Sequence, residues 1–71
     1  MNFIRLTLKR GGYILVNLNN VASISEYTKD GANDDGTYPS VIIDVSGEYV
    51  VADRIDDIFS TIQIIQKRNK Q

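Results

Sequence analysis

Residues 41–67 read VIIDVSGEYVVADRIDDIFSTIQIIQK, and within this stretch the chain changes from one periodicity to another. Val41 to Val45 and Tyr49 to Ala52 are short apolar, β-branched runs separated by Ser46-Gly47-Glu48, the composition of two strands joined by a turn. From Asp53 to Lys67 the apolar residues recur at helical spacing. At about 100° per residue, Ile58, Phe59, Ile62 and Ile65 fall within about 80° of Ile55 and make one stripe, with Ile64 on the opposite side. Asp53 is placed to cap this helix, and Asp56 three residues on completes a capping-box variant with the shorter acid. A hairpin leading into an amphipathic helix predicts an α+β domain.

Working back toward the start, Phe3-Ile4-Arg5-Leu6-Thr7-Leu8 alternates with period two, setting Ile4, Leu6 and Leu8 against Phe3, Arg5 and Thr7. Lys9-Arg10-Gly11-Gly12 predicts a tight hairpin, because glycine accepts the positive φ that primed turns need. Tyr13 to Asn17 forms the returning strand. Leu18-Asn19-Asn20 suits a turn or a single helical turn, since asparagine side chains bond nearby backbone. Val21 to Tyr27 resumes as a third strand, with Ala22 and Ile24 on one face and Val21, Ser23, Ser25 and Tyr27 on the other. Residues 28–40 then form a long polar hairpin loop with two Asp-Gly pairs and the single proline. Loops of this length are uncommon in compact domains, and with Tyr38 as its one large anchor this loop is expected to be mobile rather than functional.

The prediction is therefore one domain over residues 1–71: a small five-stranded, curled antiparallel sheet, a meander or partial barrel, followed by one C-terminal helix and a frayed basic tail at 68–71. No connection is long enough for a parallel crossover. The expected core is Ile4, Leu6, Leu8, Ile14, Val16, Ala22, Ile24, Val41, Ile43, Val45, Val51, Ile55, Ile58, Phe59, Ile62 and Ile65. The same alternation points Phe3, Tyr13, Leu15, Ile42 and Val50 away from the helix. A wet antiparallel face would carry polar residues there. These five, with Ile64, are the candidate interaction surface.

Composition narrows the function. With 71 residues, no cysteine and no histidine, disulfides are excluded and any metal is restricted to hard cations held by oxygen. A chain this short buries only about 60% of the surface its unfolded form exposes, which leaves a well-packed core or oligomerisation as its reinforcement. Eight Lys plus Arg against nine Asp plus Glu give a formal net charge of −1, which lacks the basic excess that draws proteins to nucleic acid or anionic lipid. Asp53, Asp56 and Asp57 at the helix start and Lys67, Arg68 and Lys70 at its end suit the helix macrodipole. No apolar run is long enough to cross a bilayer, and the opening Met-Asn-Phe-Ile-Arg is strand-like rather than a basic leader, so a cytoplasmic protein is expected.

Ile4-Arg5-Leu6-Thr7, Gly12, Leu15-Val16-Asn17, Val21 through Ile24, Val45-Ser46-Gly47 with Tyr49-Val50-Val51, and Ile55-Asp56-Asp57-Ile58 together resemble the FlbD type of small flagellar or swarming-motility proteins. The resemblance covers most of the chain outside residues 28–40. It implies a nonenzymatic accessory or regulatory role in the cytoplasm.

Chemical motifs point the same way. Ser-His-Asp and Cys-His triads cannot be built without His and Cys, and no carboxylate spacing places two acids across a cleft. No Gly-x-Gly-x-x-Gly or Walker-type sequence is present. Placing Gly36 at the sixth EF-hand position puts Gly31 at the first ligand and Ile42 at the bidentate acid, so the calcium motif fails. No catalytic residue, cofactor, metal or small-molecule substrate is expected. The expected function is a nonenzymatic protein-interaction or regulatory module, acting as a homo-oligomer or as a subunit of a larger assembly. The alternative is a small single-stranded nucleic-acid-binding regulatory protein, in which Tyr13, Tyr27, Tyr38 and Tyr49 stack bases beside Arg5, Lys9 and Arg10.

Overall fold

The computed structural model describes residues 2–69. Lys70, assigned above to the basic tail, and Gln71 lie outside the described residues. Five strands and one helix follow one another: β1 (Phe3–Thr7), β2 (Tyr13–Asn17), β3 (Val21–Glu26), β4 (Ser40–Asp44), β5 (Gly47–Val51) and α1 (Ile55–Asn69). A single 3₁₀ turn, Leu18–Asn20, joins β2 to β3, and the Asn17 side chain starts it by accepting the Asn19 N–H at 3.0 Å. The helix runs two residues past Lys67 and takes in Arg68, where a frayed tail is predicted.

The strands form two antiparallel sheets, β1-β2 and β3-β4-β5, rather than one five-stranded sheet, and the pair does not close into a barrel. The sheets are stitched where β1 ends. Leu8 bridges Val51, the Ala52 N–H donates to the Thr7 carbonyl at 2.7 Å, and the Lys9 N–H donates to the Val50 carbonyl at 3.0 Å. Beyond Lys9 the chain turns away into its hairpin, so this pairing goes no further. The β1-β2 turn also differs from the expected one. Lys9 and Arg10 are its central residues, bounded by a Gly11 N–H to Leu8 carbonyl bond, and the positive φ values come just afterwards at Gly11 and Gly12. This is the pattern of an ordinary turn resolved by left-handed residues, not of a primed turn.

Asp53 does not cap the helix as predicted. Its carboxylate accepts the backbone N–H of Thr7 at 2.7 Å, and its carbonyl accepts the Ser40 hydroxyl at 2.7 Å. The first intrahelical bond instead runs from the Ile58 N–H to the Arg54 carbonyl. One residue thus ties β1, β4 and the start of α1 together at the seam between the sheets.

The core is Ile4, Leu6, Val16, Ile42, Val51 and Ile58, with Leu8, Ile14, Leu18, Val21, Ile24, Ile62 and Ile65 packed against it. Most of the predicted inward set is therefore inside, and the exceptions have separate causes. β4 presents the opposite face from the one predicted: Ser40 and Ile42 are fully buried and Ile43 is exposed. Its run of apolar residues gives period two no basis for choosing a side, whereas burial of Ser40 against the Asp53 carbonyl fixes the parity. Val45, expected inside, is 80% exposed. It lies in the two-residue turn after Asp44, whose carboxylate accepts the N–H groups of Ser46 and Gly47 at 2.8 and 3.1 Å. A register shift between Val21 and Ser23 inverts the start of β3, so Val21 packs inward and Ala22 is exposed. Phe59 lies at the margin of the helical stripe and is 59% exposed, leaving Ile55, Ile58, Ile62 and Ile65 to face the sheets.

Candidate interaction surface

The β1-β2 hairpin carries the clearest apolar patch. Its register pairs Phe3 with Asn17, Arg5 with Leu15 and Thr7 with Tyr13, so these six side chains share the face opposite Ile4, Leu6, Ile14 and Val16. Phe3 is 44% exposed, Leu15 67% and Tyr13 68%. Arg5 lies over the Tyr13 ring at 4.8 Å from its centroid. This cross-strand diagonal lets the guanidinium stay hydrated on one side while its stem covers apolar surface.

The remaining predicted surface residues disperse. Ile42 has no exposure at all and belongs to the core, a correction that follows from the parity of β4. Val50 is half-buried on β5 beside Lys9. Ile64 is exposed as predicted, but on the outward side of α1 with Ser60, Gln63, Gln66 and Lys67 around it. Val45, Phe59 and Ile43, expected in the core, are exposed apolar residues as well. The Asp44-Val45-Ser46-Gly47 turn chemistry was the available signal for the first; the other two depend on long-range packing.

A shallow groove of about 580 Å³ lies at the seam, lined by Leu8, Lys9, Arg10, Tyr27, Asp30, Glu48, Tyr49 and Val50. Lys9 dominates it, sitting 5.5 Å from the Tyr27 ring centroid and 3.4 Å from the Asp30 carboxylate. With Asp30 and Glu48 beside Lys9 and Arg10, the groove is close to neutral. It offers aromatic faces without the positive field that a phosphate backbone requires.

Residues between β3 and β4, expected to be mobile, are braced by their own hydrogen bonds. The Tyr27 N–H donates to the Pro39 carbonyl at 2.8 Å, the Asn33 N–H to the Thr37 carbonyl at 2.7 Å and the Gly36 N–H to the Asn33 carbonyl at 2.9 Å. The Thr37 hydroxyl and N–H both donate to the Asp35 carboxylate, and these bonds, the hydroxyl's first, hold its pKa below the usual aspartate range. Gly31 and Gly36, the second residues of the two Asp-Gly pairs, have φ of 80° and 83°. The acids therefore serve turn geometry. Among the described residues, no three carboxylates converge to hold a metal ion, and no helix is long and apolar enough to cross a membrane.

No family model, curated protein or solved structure matches this chain.

Proposed function

We propose that this chain is a nonenzymatic protein-interaction or regulatory module that works as a homo-oligomer or as a subunit of a larger assembly. The observation that carries the proposal is the exposure of Phe3, Tyr13 and Leu15 side by side on one two-stranded sheet. A wet sheet face normally alternates to polar residues, and an apolar cluster on a small protein marks a contact surface. The resemblance to FlbD-type proteins is consistent with an accessory role of this kind. Sedimentation velocity over a concentration series tests it. The expected result is a mass above that of one chain that falls back to the monomer in Leu15→Lys; a wild-type monomer at every concentration, with no change in stability in Leu15→Lys, contradicts self-association.

The second reading, a small single-stranded nucleic-acid-binding regulatory protein, draws on Arg5 over Tyr13 and Lys9 over Tyr27. Asp30 and Glu48 beside Lys9 count against it. Fluorescence anisotropy with a labelled oligonucleotide at low salt decides the matter. Absence of binding up to about 100 μM removes this reading, since nonspecific contacts ordinarily fall between about 10⁻⁴ and 10⁻⁶ M at physiological salt.

A further inference from the structure

Of the five strands only β4 has two strand neighbours. The outer edges of β1 and β5 meet at the seam through Leu8 and Val51 and carry Arg5 and Glu48, whereas β2 pairs with β1 alone and β3 with β4 alone. Free strand edges recruit other strands unless something blunts them, and the usual devices are charges, proline and bulges. The edge of β3 has two such devices, the register shift between Val21 and Ser23 and the charge of Glu26, and α1 packs beside it. β2 reads Tyr-Ile-Leu-Val-Asn without a charge, a proline or a bulge.

Which backbone groups this edge presents follows from the ladder. The Leu8 N–H donates to the Gly12 carbonyl at 2.9 Å and the Leu18 N–H to the Asn2 carbonyl at 2.8 Å. These bonds bracket the β1-β2 pair, and antiparallel alternation places the intervening bonds at Leu6 with Ile14 and at Ile4 with Val16. Tyr13 and Leu15 must then direct their N–H and C=O groups to the open edge, and Asn17 its N–H, while the Asn17 carbonyl starts the 3₁₀ turn. The far side of β1 obeys the same parity: the N–H and C=O of Thr7 point away from β2 and are taken by Asp53 and Ala52. The residues that offer free backbone groups are thus the same ones that expose their side chains on the apolar face.

We infer that β2 pairs antiparallel with β2 of a second copy of this chain about a two-fold axis at Leu15, joining two hairpins into one four-stranded sheet. This deepens the proposed function and rests on self-association. A second copy is the occupant because the strand is self-complementary about its centre. Leu15 faces Leu15 of the other copy, Tyr13 faces its Asn17, and the Leu15 N–H and C=O and the Tyr13 C=O meet their complements. All rows are neutral, with the apolar pair central and the polar pairs at the ends. The cation on this face, Arg5, is one strand further out. The two Arg5 backbones are therefore three strand spacings apart, roughly 14 Å, beyond the Debye length of about 8 Å at physiological ionic strength. The hairpins do not repel. A register slipped by two residues sacrifices backbone bonds and moves Leu15 off its apolar partner.

The absence of cysteine makes a direct test simple. Opposed residues of a hydrogen-bonded antiparallel pair have Cα atoms about 5.5 Å apart, inside the 4.4–6.8 Å span of disulfides. Leu15→Cys is therefore expected to give a covalent dimer on mild oxidation. The Tyr13 residues of the two copies would be roughly 14 Å apart, four residues along and one strand across, so Tyr13→Cys and Asn17→Cys should each stay uncross-linked alone and cross-link when mixed. Because one strand edge covers less than the roughly 800 Å² per partner of a standard interface, oxidation and sedimentation are run at the same high protein concentration. A chain that sediments as a dimer but fails to cross-link at Leu15→Cys overturns the β2 pairing and leaves the module reading intact. A strict monomer at that concentration overturns the β2 pairing together with the homo-oligomer form of the module reading.

Discussion

Asp53 shows how much one residue of a small domain can be asked to hold. A residue at a helix entrance ordinarily spends its carboxylate on the first helical turn; here that carboxylate accepts the Thr7 N–H, and the same residue's carbonyl accepts the Ser40 hydroxyl. Asp53→Ala leaves a partly buried N–H without its partner and should destabilise by about 1–2 kcal/mol, whereas Asp53→Asn keeps an acceptor oxygen and should cost well under about 1 kcal/mol. Urea denaturation of the two variants checks this, and equal losses would point to charge rather than to the bond. At Asp35 the Thr37 hydroxyl and amide stabilise the ionised carboxylate. A carboxyl whose folded pKa is depressed contributes stability that is present above its unfolded pKa of about 3.9 and is lost as pH falls through the folded value. NMR titration should place Asp35 below that reference, with the Thr37 amide shift following the same curve, and Thr37→Val should move Asp35 back up toward it.

Among the elements, β4 carries the sharpest consequence. Ile42 and Ile43 are adjacent, chemically identical and on opposite faces, one without exposure and the other 40% exposed. Ile42→Ala should cost about 2–5 kcal/mol and Ile43→Ala well under half of that, read as denaturation midpoints; the reverse order would mean the strand is inverted. This is also where sequence and structure part company. The faces of β1 and β2 are legible because Ile4, Leu6, Ile14 and Val16 alternate with residues of different character, and α1 is legible from its repeating isoleucines. Val41, Ile42 and Ile43 offer apolar side chains at both parities, so local pattern cannot rank them. The tie is broken by Ser40 meeting Asp53 thirteen residues away. The Asp53 contact with Thr7 spans 46 residues, beyond any capping rule. Of the candidate surface, Phe3, Tyr13 and Leu15 were readable because they sit on cleanly alternating strands; Ile42 was misplaced together with β4.

At the scale of the whole molecule, the fold has two small sheets joined at one seam and a core of six buried apolar side chains. Such a core leaves little reserve of stability, and the apolar hairpin face with its unblunted edge is the feature through which a second chain can add to it. The account therefore turns on whether β2 is where copies meet. Its most direct test follows backbone amide shifts by two-dimensional NMR as the protein concentration is raised. The predicted result is a concentration-dependent shift at Tyr13, Leu15 and Asn17, whose N–H groups face the open edge, larger than at Ile14 and Val16, whose N–H groups already bond β1. Shifts confined to α1 around Phe59 and Ile64, or spectra unchanged across the series, would contradict it.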